Sequence, residues 1–288
     1  MYWLSFFLKI QQIFAKIRTL TDIIKKDDKR LINITLLCRY SMVVWRDLGA
    51  TSLFALLIVS CSDGRNSAGE MSKQVVQKTN VSPLLAEAYE TQKVEDYFQQ
   101  GNNFLESHRY NLAIAEYDKA LKIKKDKYEA WINQGNALTA LQRYKDAIAT
   151  YDKAIGIKKD LHEAWYNRGN ALTALHLYQD AVVAYKKAIA IKPDKYEAWI
   201  NQGIALTKLA RYTEAIAAYD KAIAIQPKKH EAYYNKACSY ALQNNIELTT
   251  ENLQKAIKLY PNKYQQLAKS DPDFDKVRRD KRFRELLQ

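Results

Sequence analysis

Three aspartates alternate near the C-terminus, Asp271, Asp273 and Asp275, and carboxylates at this spacing open a calcium-binding loop. Such a loop also needs a glycine at its sixth position and a bidentate glutamate at its twelfth, where this chain has Lys276 and Arg282. Asp271 followed by Pro272 is better suited to starting a helix, with the side chain accepting from free N–H groups and the proline filling the first position. The histidines are His108, His162, His176 and His230; two of them, His162 and His230, occupy equivalent places in a repeat. Cys38, Cys61 and Cys238 are far apart and form no CxxC, which argues against a disulfide framework or a thiolate metal site. No Ser/His/Asp, Cys/His or HExxH arrangement occurs, and no Gly-rich phosphate cradle. The expectation is a chain with no catalytic residues, no metal and no cofactor.

The regular feature is a period of 34 residues. Gly101, Gly135, Gly169 and Gly203 follow it, with Ala237 in the fifth place. So do Ala113, Ala147, Ala181 and Ala215, and again Ala120, Ala154, Ala188, Ala222 and Ala256. Tyr117, Tyr151, Tyr185 and Tyr219 keep the same step. Pro193, Pro227 and Pro261 close three units, where a second helix must stop. Each unit reads as a helical hairpin. An aromatic near the start of its first helix (Tyr97, Trp131, Trp165, Trp199, Tyr233) fills the space between units. The Gly or Ala four residues later lets the second helix approach, and the tyrosine between the two alanines wedges the seam. A lone hairpin cannot bury both faces, so stability comes from stacking neighbours.

The pattern W-x-N-x-G-x-A-L, then Y-x-x-A-I-x-x-Y-x-K-A-I and a closing Pro, resembles the tetratricopeptide repeat. Five units are expected: 94–127, 128–161, 162–195, 196–229 and 230–263. The resemblance implies an all-α, right-handed superhelical solenoid of helix-turn-helix repeats. It also implies a non-enzymatic scaffold that binds a partner protein or peptide in a concave groove lined by the first helices. The family's groove positions fall here on Phe98 and Asn102; Ile132, Asn133 and Asn136; Tyr166, Asn167 and Asn170; Ile200, Asn201 and Ile204; and Tyr234 and Asn235. An asparagine amide can donate and accept towards a peptide backbone without demanding a charge. Two roles stand open for Asn133, Asn167, Asn201 and Asn235, namely ligand contact or hydrogen bonds between repeats. Asn102, Asn136 and Asn170 are read as ligand contacts. Chaperone-binding members of the family clamp a carboxylate with Lys and Arg on this face. Here Lys208 stands alone, so a chaperone tail is disfavoured.

Units two and four begin YEAWINQG, whereas three and five begin HEAWYN and HEAYYN, as if a pair of units had been duplicated. The fifth unit departs from the pattern with Thr249 and Leu253. Residues 264–288 read as a sixth first helix and a capping helix, with Phe274, Val277, Phe283, Leu286 and Leu287 covering the last hairpin. This ending resembles the terminal element of some bacterial, especially cyanobacterial, repeat proteins.

The formal net charge is +13. It is diluted along the chain without an Arg cluster, so no nucleic-acid partner is expected. In the N-terminal part, Leu48–Val59 is apolar but too short to span a bilayer. With residues 42–46 before it, the run suits a secretory signal. Ile58-Val59-Ser60-Cys61 resembles the lipobox of bacterial lipoproteins, which implies lipidation of Cys61 and a tether at the cell envelope. Translation from Met42 then makes residues 1–41 a spurious extension. The alternative keeps Met1. Trp3, Phe6, Phe7, Ile10, Ile13, Phe14, Ile17 and Leu20 then form the apolar face of a basic amphipathic helix, holding a cytoplasmic-face adaptor at a membrane. Residues 42–61 form the signal-like segment and residues 62–93 a linker with a leading helix.

Overall fold

The computed structural model describes residues 82–288, and among them it has twelve α-helices, one 3₁₀ turn and no strand. The expectations for residues 1–81, including the amphipathic segment, the signal-like segment and Cys61, lie outside the described residues. The first hairpin is α1 (Ser82–Glu106) and α2 (Tyr110–Ile123); the second is α3 (Tyr128–Ala140) and α4 (Tyr144–Ile157). The third is α5 (His162–Ala174) and α6 (Tyr178–Ile191), the fourth α7 (Tyr196–Lys208) and α8 (Tyr212–Ile225), and the fifth α9 (His230–Leu242) and α10 (Ile246–Leu259). The chain closes with α11 (Lys263–Ser270), a 3₁₀ turn at Pro272–Phe274 and α12 (Lys281–Leu286).

Within each hairpin the first helix ends on a residue in the left-handed region, at His108, Gln142, His176, Ala210 and Asn244. The N–H of Arg143 reaches the carbonyl of Leu138 at 2.9 Å while that of Gln142 reaches Thr139 at 2.9 Å, and the closing carbonyls are thereby satisfied. None of the five is glycine, so each turn accepts the cost of a side chain at positive φ. Stacking of the flanking helices holds it there. Glu129, Glu163, Glu197 and Glu231 sit in the first turns of α3, α5, α7 and α9, where a carboxylate favours the positive end of the helix dipole.

The seam of each hairpin is a glycine against a tyrosine ring. A Cβ placed on Gly135 meets Tyr151 Cε1 at 2.5 Å, and the same distance recurs for Gly101 on Tyr117, Gly169 on Tyr185 and Gly203 on Tyr219. The fifth hairpin changes both partners together, to Ala237 and a fully buried Leu253. The added methyl is accommodated by removing the ring. Between hairpins, each first helix also packs on the first helix of the next unit: α1 on α3, α3 on α5, α5 on α7 and α7 on α9. The first helices therefore form a continuous layer, and this layer carries the groove positions.

The two ends of the array are finished differently. Ala130, Ala164, Ala198 and Ala232 are wholly buried against their preceding units, and the equivalent residue of the first unit is the exposed Asp96. Ala137, Ala171 and Ala205 are likewise buried where the first unit has the exposed Asn103. Polar residues thus face outward where no repeat stacks. At the other end Tyr264, Phe274, Val277, Phe283 and Leu287 are buried on the fifth hairpin together with Tyr234, Ala237, Cys238 and Leu253. Asp271 accepts from the N–H of Asp273 at 3.0 Å, as expected of an N-cap. The helix it starts is only a 3₁₀ turn, because Arg278 folds back onto the carbonyls of Ala268, Lys269 and Asp271, and Asp280 caps a separate helix through Arg282 N–H. The leading segment and the first helix of unit one are a single helix, α1, whose residues 86–92 are exposed on every side. No helix among the described residues is long and apolar enough to cross a membrane.

Candidate partner-binding groove

Polar rungs cross the layer of first helices from one unit to the next. In the first, Asn102 Oδ1 accepts from Tyr117 Oη at 2.8 Å and from Asn133 Nδ2 at 2.8 Å. In the second, Asn136 Oδ1 accepts from Tyr151 and Asn167 at the same distances. In the third, Asn170 Oδ1 accepts from Tyr185 at 2.8 Å and from Asn201 at 2.9 Å, and Asn201 also reaches Tyr166 Oη at 3.2 Å. In the first three hairpins the tyrosine that wedges the seam is therefore also the donor that orients the groove amide. Asn133, Asn167 and Asn201 use their Nδ2 groups between repeats, and Asn102, Asn136 and Asn170 use their Oδ1 atoms. The Nδ2 groups of Asn102 and Asn136 in the first two rungs, and the Oδ1 atom of the second residue in all three, bond no other described residue; in the third rung Tyr166 also engages the Asn170 amide. All six side chains are only partly buried, so these donors and acceptors remain accessible from the groove side.

The rung fails between units four and five. Ile204 stands where the others have asparagine, and the amide of Asn235 bonds no other described side chain. Tyr219 Oη turns to Thr207 at 3.2 Å, and Thr207 meets Ser239 at 2.8 Å.

The apolar groove positions divide by exposure. Ile132 and Ile200 are 5% and 6% exposed, so they back the groove from beneath. Phe98 and Tyr166 are partly open. Lys127 lies over the Phe98 ring at 4.2 Å and pairs with Glu95 at 2.9 Å; Lys195 lies over Tyr166 at 4.6 Å. Such cation–π contacts are worth about 0.5–1 kcal/mol at exposed sites. The sequence reading missed these lysines. Lys127, Lys195 and Lys229 share one register position, which was the signal available, with Leu161 as the exception. Tyr234 is 5% exposed, because its ring stacks on Tyr264 at 4.7 Å and its hydroxyl donates to Asp271 Oδ2 at 2.6 Å. It therefore belongs to the C-terminal cap more than to an open groove.

Burial pushes the Tyr117 hydroxyl up to about 12 and raises those of Tyr151, Tyr185 and Tyr219 further. Each stays a protonated donor, which fixes the polarity of the first three rungs. The folded values lie above the ordinary 10.0, so the neutral form is favoured by folding. Its contribution is intact below pH about 10 and is lost as pH rises through the folded values. We expect the array to unfold cooperatively in alkali at a pH above that at which free tyrosine ionises, with the last step of phenolate absorbance and the loss of helical circular dichroism appearing together. Complete phenolate absorbance while the helices remain intact would contradict this.

The structure brings Cys238 beside Asp271 and Asp273, with one ligand atom from each within 4.8 Å of the others. Burial, then Asp271, pushes the Cys238 thiol well up, so it is held protonated rather than as the thiolate a metal needs. Asp271 is already occupied by the hydroxyl of Tyr234 and the N–H of Asp273. The chemistry of this cluster is that of a cap.

Tetratricopeptide-repeat family models match residues 162–195, 196–229 and 230–263, and a further model of this repeat matches residues 135–175. No curated protein matches the chain at a significant level. Among solved structures, that of MamA protein is similar at 23% identity and a TM-score of 0.56, covering 63% of this chain and 97% of that one. MamA 41-end from Desulfovibrio magneticus RS-1 is similar at 20% identity and a TM-score of 0.56, over 58% of this chain and 94% of that one. YrrB, described as a TPR protein with an unusual peptide-binding site, is similar at 24% identity and a TM-score of 0.55, over 64% and 94%. At these identities the likeness is one of fold. Such repeats serve as scaffolds for protein–protein interaction. The seam glycines and tyrosines, the stacked hairpins and the matched models agree that residues 135–263 are tetratricopeptide repeats.

Proposed function

We propose that this protein is a non-enzymatic scaffold that holds an extended segment of a partner protein along its layer of first helices and is tethered to a membrane through lipid on Cys61. The observation that carries the groove reading is the set of amide groups left over by the three rungs. Donors on Asn102 and Asn136 alternate with acceptors on Asn133, Asn167 and Asn201, which suits the alternating N–H and C=O groups of a peptide backbone. Phe98 and Tyr166, each beside a rung and partly open, offer the exposed parts of their rings, with the lysines over them, to its side chains. YrrB, whose fold is similar, is described as having a peptide-binding site, which is consistent with this use of the fold. The tether rests on the residues Ile58-Val59-Ser60-Cys61 and on the polar stretch that follows them.

The deciding measurement for the tether is the mass of the N-terminal peptide of protein isolated from its own cells. A diacylated peptide beginning at Cys61 is expected. An unmodified peptide beginning at Met1 would overturn the tether and favour an adaptor held by the amphipathic segment. Deleting residues 1–41 separates the same two readings: the lipoprotein keeps its membrane association and the adaptor loses it.

A further inference from the structure

Among the described residues, the failed rung between units four and five is the place in the groove where a side-chain amide has neither of its partners. Asn133, Asn167 and Asn201 each donate to an asparagine of the preceding unit, and Asn201 has Tyr166 as a second partner. For Asn235 both equivalents are isoleucine: Ile204 replaces the asparagine and Ile200 the tyrosine. Its side chain is partly buried, so solvent reaches it incompletely. A partly buried amide without a partner favours any ligand that can satisfy it. Thr207 and Ser239 bond to one another at 2.8 Å, and the Ser239 hydroxyl reaches the backbone carbonyl of Asn235 at 3.2 Å, not its side-chain amide.

We propose that Asn235 and Ile204 form the anchoring subsite of the groove for an extended stretch of peptide that carries a branched aliphatic side chain. The Asn235 amide pairs in both directions with one peptide unit, and Ile204 receives a branched aliphatic side chain next to it. This inference rests on the groove reading given above and names the chemistry of the partner within it. The intact rungs offer one donor or one acceptor per side chain and hold the backbone without selecting among side chains. The broken rung offers both on one side chain and an apolar contact beside it. Selectivity therefore concentrates at units four and five, and the ladder of units one to four supplies register.

The test selects random linear peptides displayed on phage against the purified full chain and then measures the binding of the enriched peptides by fluorescence anisotropy. Three variants are compared. Ile204→Asn rebuilds the acceptor and closes the rung, so it is expected to fold as well as the parent. Asn235→Ala removes the amide, and Asn136→Ala reports on an intact rung. The expected result is an enriched branched aliphatic residue, with binding weakened about tenfold by Ile204→Asn and by Asn235→Ala, the loss of roughly one well-made contact. Peptides that bind the parent and both of these variants equally, yet are weakened by Asn136→Ala, would overturn the subsite and leave the groove reading standing. No enriched peptide, or peptides indifferent to all three variants, would overturn both. Concentration-dependent self-association abolished by Ile204→Asn would assign the subsite to a second copy of this chain and likewise overturn the proposal.

Discussion

Replacing Tyr185 with alanine is expected to lower the unfolding free energy by about 3–5 kcal/mol, the usual cost of truncating a large buried ring. The ring is 1% exposed and its hydroxyl binds Asn170 at 2.8 Å and Thr173 at 3.1 Å, so both packing and a rung are lost. The site is the middle hairpin of five, and stability in such arrays is a sum over nearest neighbours. Denaturant unfolding followed by circular dichroism should therefore change from one transition to two, as the array splits into blocks. The companion variant tests the seam directly. In Gly169→Ala the new methyl would lie 2.5 Å from the Tyr185 ring, which hydrogen bonds hold in place. Overpacking of about 1–3 kcal/mol then outweighs the gain of about 1 kcal/mol in helix propensity, and the variant is less stable. In a Tyr185→Leu background the ring is gone and the sign reverses, so Gly169→Ala stabilises by about 1 kcal/mol. The fifth hairpin, with Ala237 against Leu253, already has that combination. Additive effects of the two substitutions would refute the steric account.

The second large effect is expected at the C-terminal cap. Phe274 is fully buried, 5.7 Å from Tyr234 and 5.3 Å from Phe283 between ring centroids. Phe274→Ala should cost about 3–5 kcal/mol. Unlike the change at Tyr185, this loss acts at an end. Amide hydrogen exchange should quicken in α9 to α12 and stay unchanged in α3 to α6, since each unit depends on its neighbours. Exchange that quickens evenly along the array would mean that the cap acts on the whole and not on its own unit. The variant also uncovers Tyr234 and Leu253, so weak association between molecules is expected at high concentration.

Much of the fold was legible from spacing. Gly101, Gly135, Gly169 and Gly203 keep step with Tyr117, Tyr151, Tyr185 and Tyr219, and the structure presses each pair together. The capping residues Asp271, Phe274, Val277, Phe283 and Leu287 were also readable, although the expected single helix became a 3₁₀ turn and a separate helix. The turns were harder to see. Their left-handed residues are His108, Gln142, His176, Ala210 and Asn244, which lack the glycine that usually marks such a position.

By itself the sequence determined the number of hairpins, the face on which each asparagine lies and the composition of the seam. All of these follow from a fixed period, because residues at one register see the same local backbone. Only the tertiary structure decided how the asparagines share their hydrogen bonds. Asn102 meets Asn133 and Asn136 meets Asn167 across 31 residues, a separation that is not the repeat period. It arises because successive first helices are shifted and rotated on stacking, so the contact joins two different register positions. The same stacking laid Lys127 over Phe98, brought Cys238 beside Asp271 and left the Asn235 side chain without a partner among the described residues. A period reports which residues are equivalent, and the packing of one helix on the next decides which residues meet.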